Sequence, residues 1–438
     1  MNKVKRLLVL ILASALLLSG CAMATLDKLY CLPKRSEEYE NLQAVFDKAM
    51  QGLQYCAPIN GDNRLVHQTA DLDGDGVDEY LIFAKDDSAK PLKILIFAQL
   101  ASGPVLMDTI EGYGFGYDFV SYAELDDRPG VELIVGRQVS DQVMRSVAVY
   151  RFSSGFARQL MNTSYHEITS TDMNRDGIAE LFVLTAGPSE KSAGSARMFT
   201  FQDGDVQRSA EIPLSAPMSG FKMLSNSVLE DQVPAIFVTS TADNQNLVTD
   251  IFVMNRGELT TLVSGLSISS VENYYVFPED INGDGVMELP RLLPLQQMQE
   301  EDPSEYIIDW YQLSSQLQEH GKLLTYHNYA QNWYLEVDRQ ILQKLSVAKT
   351  ENGTDFFYGG EKLMTIMALT DADREEQSKL PGSTVLYGGE TVIYVAIVEE
   401  NTASKDNIEL LIRRFHPIRV ELNTEEDKII IKKLPTQC

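Results

Sequence analysis

Cysteine and histidine are scarce in this chain, at four and five of 438 residues. The cysteines stand at 21, 31, 56 and 438 without CxxC or zinc spacing, so a structural zinc site has no ligand set to draw on. The histidines (67, 166, 320, 327, 416) are scattered, and His320 and His327 are too loosely placed to form a metal pair. Base is in short supply too: 37 Lys and Arg stand against 63 Asp and Glu, a net charge of −26. That surface repels nucleic acid and anionic headgroups as direct partners. The apolar run Leu7–Leu18 has twelve residues, too few for a bilayer span of about twenty. No G-x-S-x-G, P-loop, H-E-x-x-H or dinucleotide fingerprint occurs. Carboxylate pairs for glycoside hydrolysis stay open, because acids are plentiful and their separation in space is not legible here.

What the chain does have begins at its N-terminus. Lys3, Lys5 and Arg6 precede the apolar run, which ends in Leu18-Ser19-Gly20-Cys21. This reads as a signal peptide over 1–20, and its end resembles the bacterial lipobox. The resemblance implies a lipid on Cys21 and an extracytoplasmic, lipid-anchored protein whose only membrane contact is that anchor. Removing residues 1–20 deletes three bases and no acid, so the mature charge is −26 − 3 = −29. Three cysteines then remain. A Cys31–Cys56 bridge is open, since it must pass a helix over 37–52 about 24 Å long.

Residues 21–64 read as a tether and that helix, with Ser36 as N-cap and Tyr39, Leu42, Phe46, Ala49 and Leu53 on one face. From 65 to 330 the texture is short apolar runs ("YLIFA", "KILIFA", "VELIVG", "ELFVLT", "TDIFVM") broken by Gly, Asp, Asn and Pro. That is strand punctuation. Within it a motif recurs: "DLDGDGVDEYLIF" from Asp71, "ELDDRPGVELIVG" from Glu124, "DMNRDGIAELFVL" from Asp172, "SVLEDQVPAIFV" from Ser227 and "DINGDGVMELPRL" from Asp280. Self-similarity with a period of about 50 residues signals blades or solenoid units. Three or four short strands per unit suit a β-propeller blade. Beyond it, 331–438 reads as a small α+β domain, with a helix from about Lys405 carrying Ile408, Leu411, Ile412 and Phe415.

The three best loops follow D-x-[DN]-x-D-G-x-x-E, with side-chain oxygens at positions 1, 3, 5 and 9 and Gly76, Gly177 or Gly285 at the turn. A set of oxygens alone selects a hard cation and favours Ca²⁺. An EF-hand is set aside, because its position 12 needs Glu and here holds Ile82, Val183 or Arg291, and strand-like residues follow. The pattern resembles the FG-GAP/VCBS-type repeat of integrin α-subunit propellers and bacterial surface proteins, most clearly in "GFGYDFVSYAELDDRPGVELIVG". The resemblance covers about 65–330. It implies a first Ca²⁺ site of Asp71, Asp73, Asp75, the Val77 carbonyl and Glu79. It implies a second of Asp172, Asn174, Asp176, the Ile178 carbonyl and Glu180, and a third of Asp280, Asn282, Asp284, the Val286 carbonyl and Glu288. Two loops depart from the pattern. Leu229 stands at position 3 of the Ser227 loop, and Arg128 at position 5 of the Glu124 loop. There the Arg128 guanidinium is expected to satisfy Glu124, Asp126 or Glu132 and replace the cation.

Tyr113, Phe115 and Tyr117 alternate with glycine and offer an aromatic platform or, more simply, strand packing. Trp310-Tyr311 and Trp333-Tyr334 read as core before they read as sugar stackers. The expectation is therefore a mainly β chain. It has a β-propeller of five to seven blades with Ca-binding loops, plus a small C-terminal α+β domain. Its role would be to bind a protein or glycan through displayed loops. An envelope hydrolase or lyase, and a structural or assembly factor, are the alternatives.

Overall fold

Runs of branched and aromatic residues between the acidic turns form the strands: Glu79–Lys85, Glu132–Gln138, Glu180–Thr185 and Pro234–Thr241 are buried on both sides, whereas Gly103–Gly112, Asp205–Pro217 and Phe221–Val228 are half-buried or exposed along most of their length. The computed structural model describes residues 37–433, apart from 101–102, 140–144, 243–245, 269–274, 296–304, 352, 372–373, 380, 400–407, 409–410, 413 and 422–429. The signal peptide, Cys21, Cys31 and Ser36 lie outside the described residues. A helix, α1 (Glu37–Ala49), opens the described chain; it ends three residues before the 37–52 span expected, with 50–52 a turn.

The protein is mainly β, built of propeller-type blades: consecutive antiparallel sheets whose strands follow in chain order. The first holds β2 (His67–Ala70), β3 (Glu79–Lys85), β4 (Leu92–Leu100) and β5 (Gly103–Gly112), with β1 (Gln54–Tyr55) added beside β3. The second is β6 (Gly116–Ala123) to β7 (Glu132–Gln138), β8 (Arg145–Ser153) and β9 (Phe156–Tyr165). The third runs β10 (Glu167–Thr171), β11 (Glu180–Thr185), β12 (Ala193–Gln202) and β13 (Asp205–Pro217). The fourth runs β14 (Phe221–Val228), β15 (Pro234–Thr241), β16 (Leu247–Asn255) and β17 (Glu258–Ile268). The fifth begins with β18 (Glu288–Pro294), β19 (Tyr306–Leu313) and β20 (Glu319–Asn328). Among the described residues its inner edge is a single bridge, Glu279 to Glu288.

Side chains alternate across each strand, so one strand feeds two cores. Leu81 and Phe83 pack with Tyr117, Val120 and Leu133 of the second sheet, while Ile82 and Ala84 turn the other way, onto Phe46 and Ala49 of α1. The same pattern joins second to third sheet through Val147, Val149, Leu181 and Phe199, and third to fourth through Phe182, Leu184, Ile236 and Phe252. Phe237, Ile251, Leu289 and Tyr311 join fourth to fifth. Among the described residues no apolar cluster joins the first sheet to the fifth. The helix covers one end of the row and C-terminal strands cover the other.

At that C-terminal end β21 (Trp333–Glu336), β27 (Phe415–Glu421) and β28 (Ile430–Lys433) extend the fifth sheet. Between them in sequence, β22 (Leu345–Thr350), β23 (Gly353–Tyr358), β24 (Glu361–Leu369), β25 (Ser383–Gly388) and β26 (Ile393–Val398) form a further sheet, with short helices α2 (Arg339–Leu342) and α3 (Arg374–Gln377). Trp310, Tyr311, Trp333 and Tyr334 are all core, as their reading predicts. Tyr117 is core, but Tyr113 and Phe115 are exposed. Ile408, Leu411 and Ile412 are helical, whereas Phe415 opens β27. Among the described residues no helix is long and apolar enough to cross a membrane.

Candidate metal-binding loops

Each loop of the repeat joins the first and second strands of its blade, so all of them emerge at corresponding places. In the first, position 2 is the anchor: Leu72 is buried, and its amide donates to Glu79 Oε2 at 2.9 Å. Asp71 Oδ1 accepts from the Gly74 amide at 2.7 Å and Oδ2 from Gly76 at 3.0 Å. Asp73 accepts from Asp75 N, and Asp75 from Val77 N. Gly74 and Gly76 have φ of 77° and 86°, the left-handed region that lets the chain fold around the carboxylates. Asp71, Asp73 and Glu79 bring ligand oxygens within 4.8 Å of one another.

The third and fifth loops repeat this wiring. Asp172 takes the amides of Arg175 and Gly177, and Asp280 those of Gly283 and Gly285. Ile178 and Val286 donate to Asp176 and Asp284. Met173 and Ile281, both buried, donate to Glu180 and Glu288. The carboxamides of Asn174 and Asn282 point their nitrogens at Glu180 and Glu288, at 2.7 and 2.8 Å.

The position-9 glutamates are the buried members of otherwise solvated clusters, and their electrostatics show it. Burial pushes Glu79 up to about 7, helped by the charges of Asp73, Asp75 and Asp71 and opposed by the Leu72 amide. Burial likewise pushes Glu288 to about 7, with Asp284 and Asp280 adding to it. Glu180 is raised for the same first cause. These carboxyls stand where negative charge is disfavoured unless a cation is beside them.

The second loop has such a cation, and it is not the one the sequence nominates. Arg128 lies over the Phe201 ring, with its guanidinium carbon 5.8 Å from the centroid. Arg151 of β8 enters instead, giving Nη1 to Asp126 Oδ1 at 2.6 Å and to Glu132 Oε1 at 2.5 Å, and Nη2 to the Pro129 carbonyl. The clue was available in "SVAVYRF", where a lone base interrupts a buried strand. The fourth loop differs in another way. Leu229, not its neighbour Val228, is the buried anchor, so the motif starts one residue later than the Ser227 register and the turn is shortened to Leu229–Val233. Its acid Asp231 binds Ser315 N and Oγ of the fifth blade instead.

The loops also hold one another. The carbonyl at position 1 accepts from the position-8 amide of the next loop: Asp71 from Val131, Glu124 from Ala179, and Val228 from Met287. Pro234 interrupts the series at the fourth loop because it has no N–H. Gly130 is required by this stacking: a Cβ there would lie 2.5 Å from the Leu72 carbonyl oxygen.

A separate cavity of about 570 Å³ lies between α1 and the edge of the first sheet, which the sequence did not reveal. Phe46, Tyr55, His67, Tyr80 and Tyr122 line it together with Asp47, Asp62 and Asn63. Lys and Arg are absent from its lining among the described residues.

No family model and no curated protein matches the chain. Among solved structures it is similar to the β-propeller domain of the Trilobed protease from Pyrococcus furiosus, at 12% identity over 76% of this chain and 91% of that one, TM-score 0.28. It is also similar to Sqt1 from Saccharomyces cerevisiae, at 12% identity over 78% of this chain and 100% of that one, TM-score 0.31. At such scores the strand order and blade packing above, not the likeness, define the class: a mainly β protein of propeller-type blades.

Proposed function

We propose that this is an exported, lipid-anchored binding module of the FG-GAP/VCBS type, whose first, third and fifth loops take Ca²⁺ to lock consecutive blades. The carrying observation is the common wiring of those loops set against the second, where a buried guanidinium neutralises the corresponding acids. The donor set fits the ion: oxygens only, with Asp71, Asp73 and Glu79 already within 4.8 Å, as Ca–O bonds of about 2.3–2.6 Å require. Asp71, Asp73, Asp75, the Val77 carbonyl and Glu79 would hold the first ion. Asp172, Asn174, Asp176, the Ile178 carbonyl and Glu180 would hold the second, and Asp280, Asn282, Asp284, the Val286 carbonyl and Glu288 the third. In those two a half-turn of Asn174 or Asn282 presents amide oxygen in place of nitrogen.

In this reading the ion supplies fixed positive charge and no chemistry. Position 1 of the first loop, and position 8 of the third and fifth, are each bonded to a neighbouring loop, so filling a site stiffens the joint between blades. The cavity beside α1 is the place for a partner. Rings with carboxylate and carboxamide side chains, and no Lys or Arg among the described lining residues, suit a neutral glycan or an uncharged peptide segment over an anionic ligand. Calorimetry on metal-stripped protein tests the metal: three ions are expected, each adding about 2.7 kcal/mol of stability at a hundredfold excess over Kd. No binding at millimolar calcium overturns it.

A further inference from the structure

The residue facing position 9 from the third strand of each blade differs in kind from blade to blade. Glu288 pairs directly with Gln312 of β19. One step beyond the Leu133–Tyr150, Tyr80–Phe97 and Leu181–Phe199 pairs, Glu132 faces Arg151, Glu79 faces Ala98 and Glu180 faces Thr200. In the fourth blade the shortened turn puts Ala235 against Val253, with neither acid nor base.

We propose that this cross-strand position sets what cation each loop takes, an inference that rests on the calcium reading above. Arg151 is a tethered cation. Its guanidinium lies against Asp126 and Glu132, whose side chains are 0% and 1% exposed, and it fills the space an ion would need. Ala98 carries no polar group and leaves the Asp71 loop to the metal. Thr200 is turned to Gln202, whose amide it accepts at 3.1 Å, and leaves the Asp172 loop free as well. Gln312 is intermediate. Its Nε2 donates to Asp284 Oδ2 at 2.8 Å and to Glu288 Oε1 at 2.6 Å, and those two oxygens are ligands the ion must win back. The loops are therefore graded: Asp71 and Asp172 open, Asp280 weaker, and the Glu124 loop closed to metal.

The test is calorimetric titration of Ca²⁺ into the metal-stripped full chain and two variants, with circular dichroism to confirm folding. Ala98→Arg transfers the tethered cation to the first blade. It is expected to lower the stoichiometry from three to two by deleting one of the two uncontested sites. Gln312→Ala removes two competing hydrogen bonds and is expected to tighten the weakest site about tenfold, equivalent to about 1.4 kcal/mol. The second variant only truncates a side chain, so it decides the matter if the first fails to fold. Unchanged affinities in Gln312→Ala, or three sites in a folded Ala98→Arg chain, overturn the inference and leave the calcium reading standing. A wild-type chain that binds no calcium overturns both.

Discussion

Replacing Arg151 by Met keeps the length and apolar stem of the side chain and removes its charge. The guanidinium serves two carboxylates and a carbonyl, and Arg151, Asp126 and Glu132 side chains are 8%, 0% and 1% exposed. Removing one partner of a buried ion pair costs about 3–5 kcal/mol, because the remaining charge has no solvent to return to. Asp126 Oδ2 has no hydrogen-bond partner even with the arginine in place, so without Arg151 that carboxylate keeps only the Arg128 amide on Oδ1. We expect Arg151→Met to lower stability by about 3–5 kcal/mol at neutral pH, read by urea unfolding with circular dichroism. The sign of the pH dependence follows from Glu132, which burial already raises above the ordinary carboxylate range even beside Arg151. Without the arginine it rises further, so the folded variant binds a proton more tightly than its unfolded chain. Its deficit should therefore shrink as pH falls through that raised value. Arg151→Lys, which keeps the charge and loses the fork, should lie between variant and wild type. A loss below about 1 kcal/mol at neutral pH, or one that stays constant into acid, would refute the idea that a buried charge closes this loop.

Three further outcomes are expected. His327 is buried among Trp310, Tyr329 and Tyr334, with Nε2 bonded to Thr325 Oγ1; burial, then the charge of His416, lowers it from 6.5 to about 3. The unfolded chain binds the proton first, so stability should fall as pH drops below 6.5, by about 2 kcal/mol near pH 5, and His327→Phe should remove that part of the slope in acid unfolding curves. Gly130→Ala drives a methyl into the Leu72 carbonyl at a φ of 94°, and should cost about 1–3 kcal/mol in the same assay while leaving a distant change such as Gly204→Ala as control milder. Cys21→Ala should leave an unlipidated precursor and abolish detergent partitioning; a wild-type protein that stays in the aqueous phase would rule out the anchor.

What lay in the sequence was everything held within one short segment. Each nine-residue loop is closed by its own backbone: Asp71, Asp172 and Asp280 collect amides three and five residues on, and the glutamate seven residues past the anchor holds the anchor's amide. Local hydrogen bonds of fixed reach must leave a fixed spacing, so the repeat, its strands and its candidate ligands were legible. The partners from outside the loop were not. Glu132 meets Arg151 across 19 residues, and Glu288 meets Gln312 across 24, because the hairpin of the fifth blade is longer. No constant period marks those contacts, and proximity in sequence pointed to Arg128 instead. The one-residue shift at Leu229, the carbonyl-to-amide series between loops and the cavity under α1 are of the same kind. Sequence determined that this chain makes acidic loops on short strands, since that follows from neighbours along the backbone. Which acidic loop is closed by an arginine, and which are not, was decided only when folding set strand against strand.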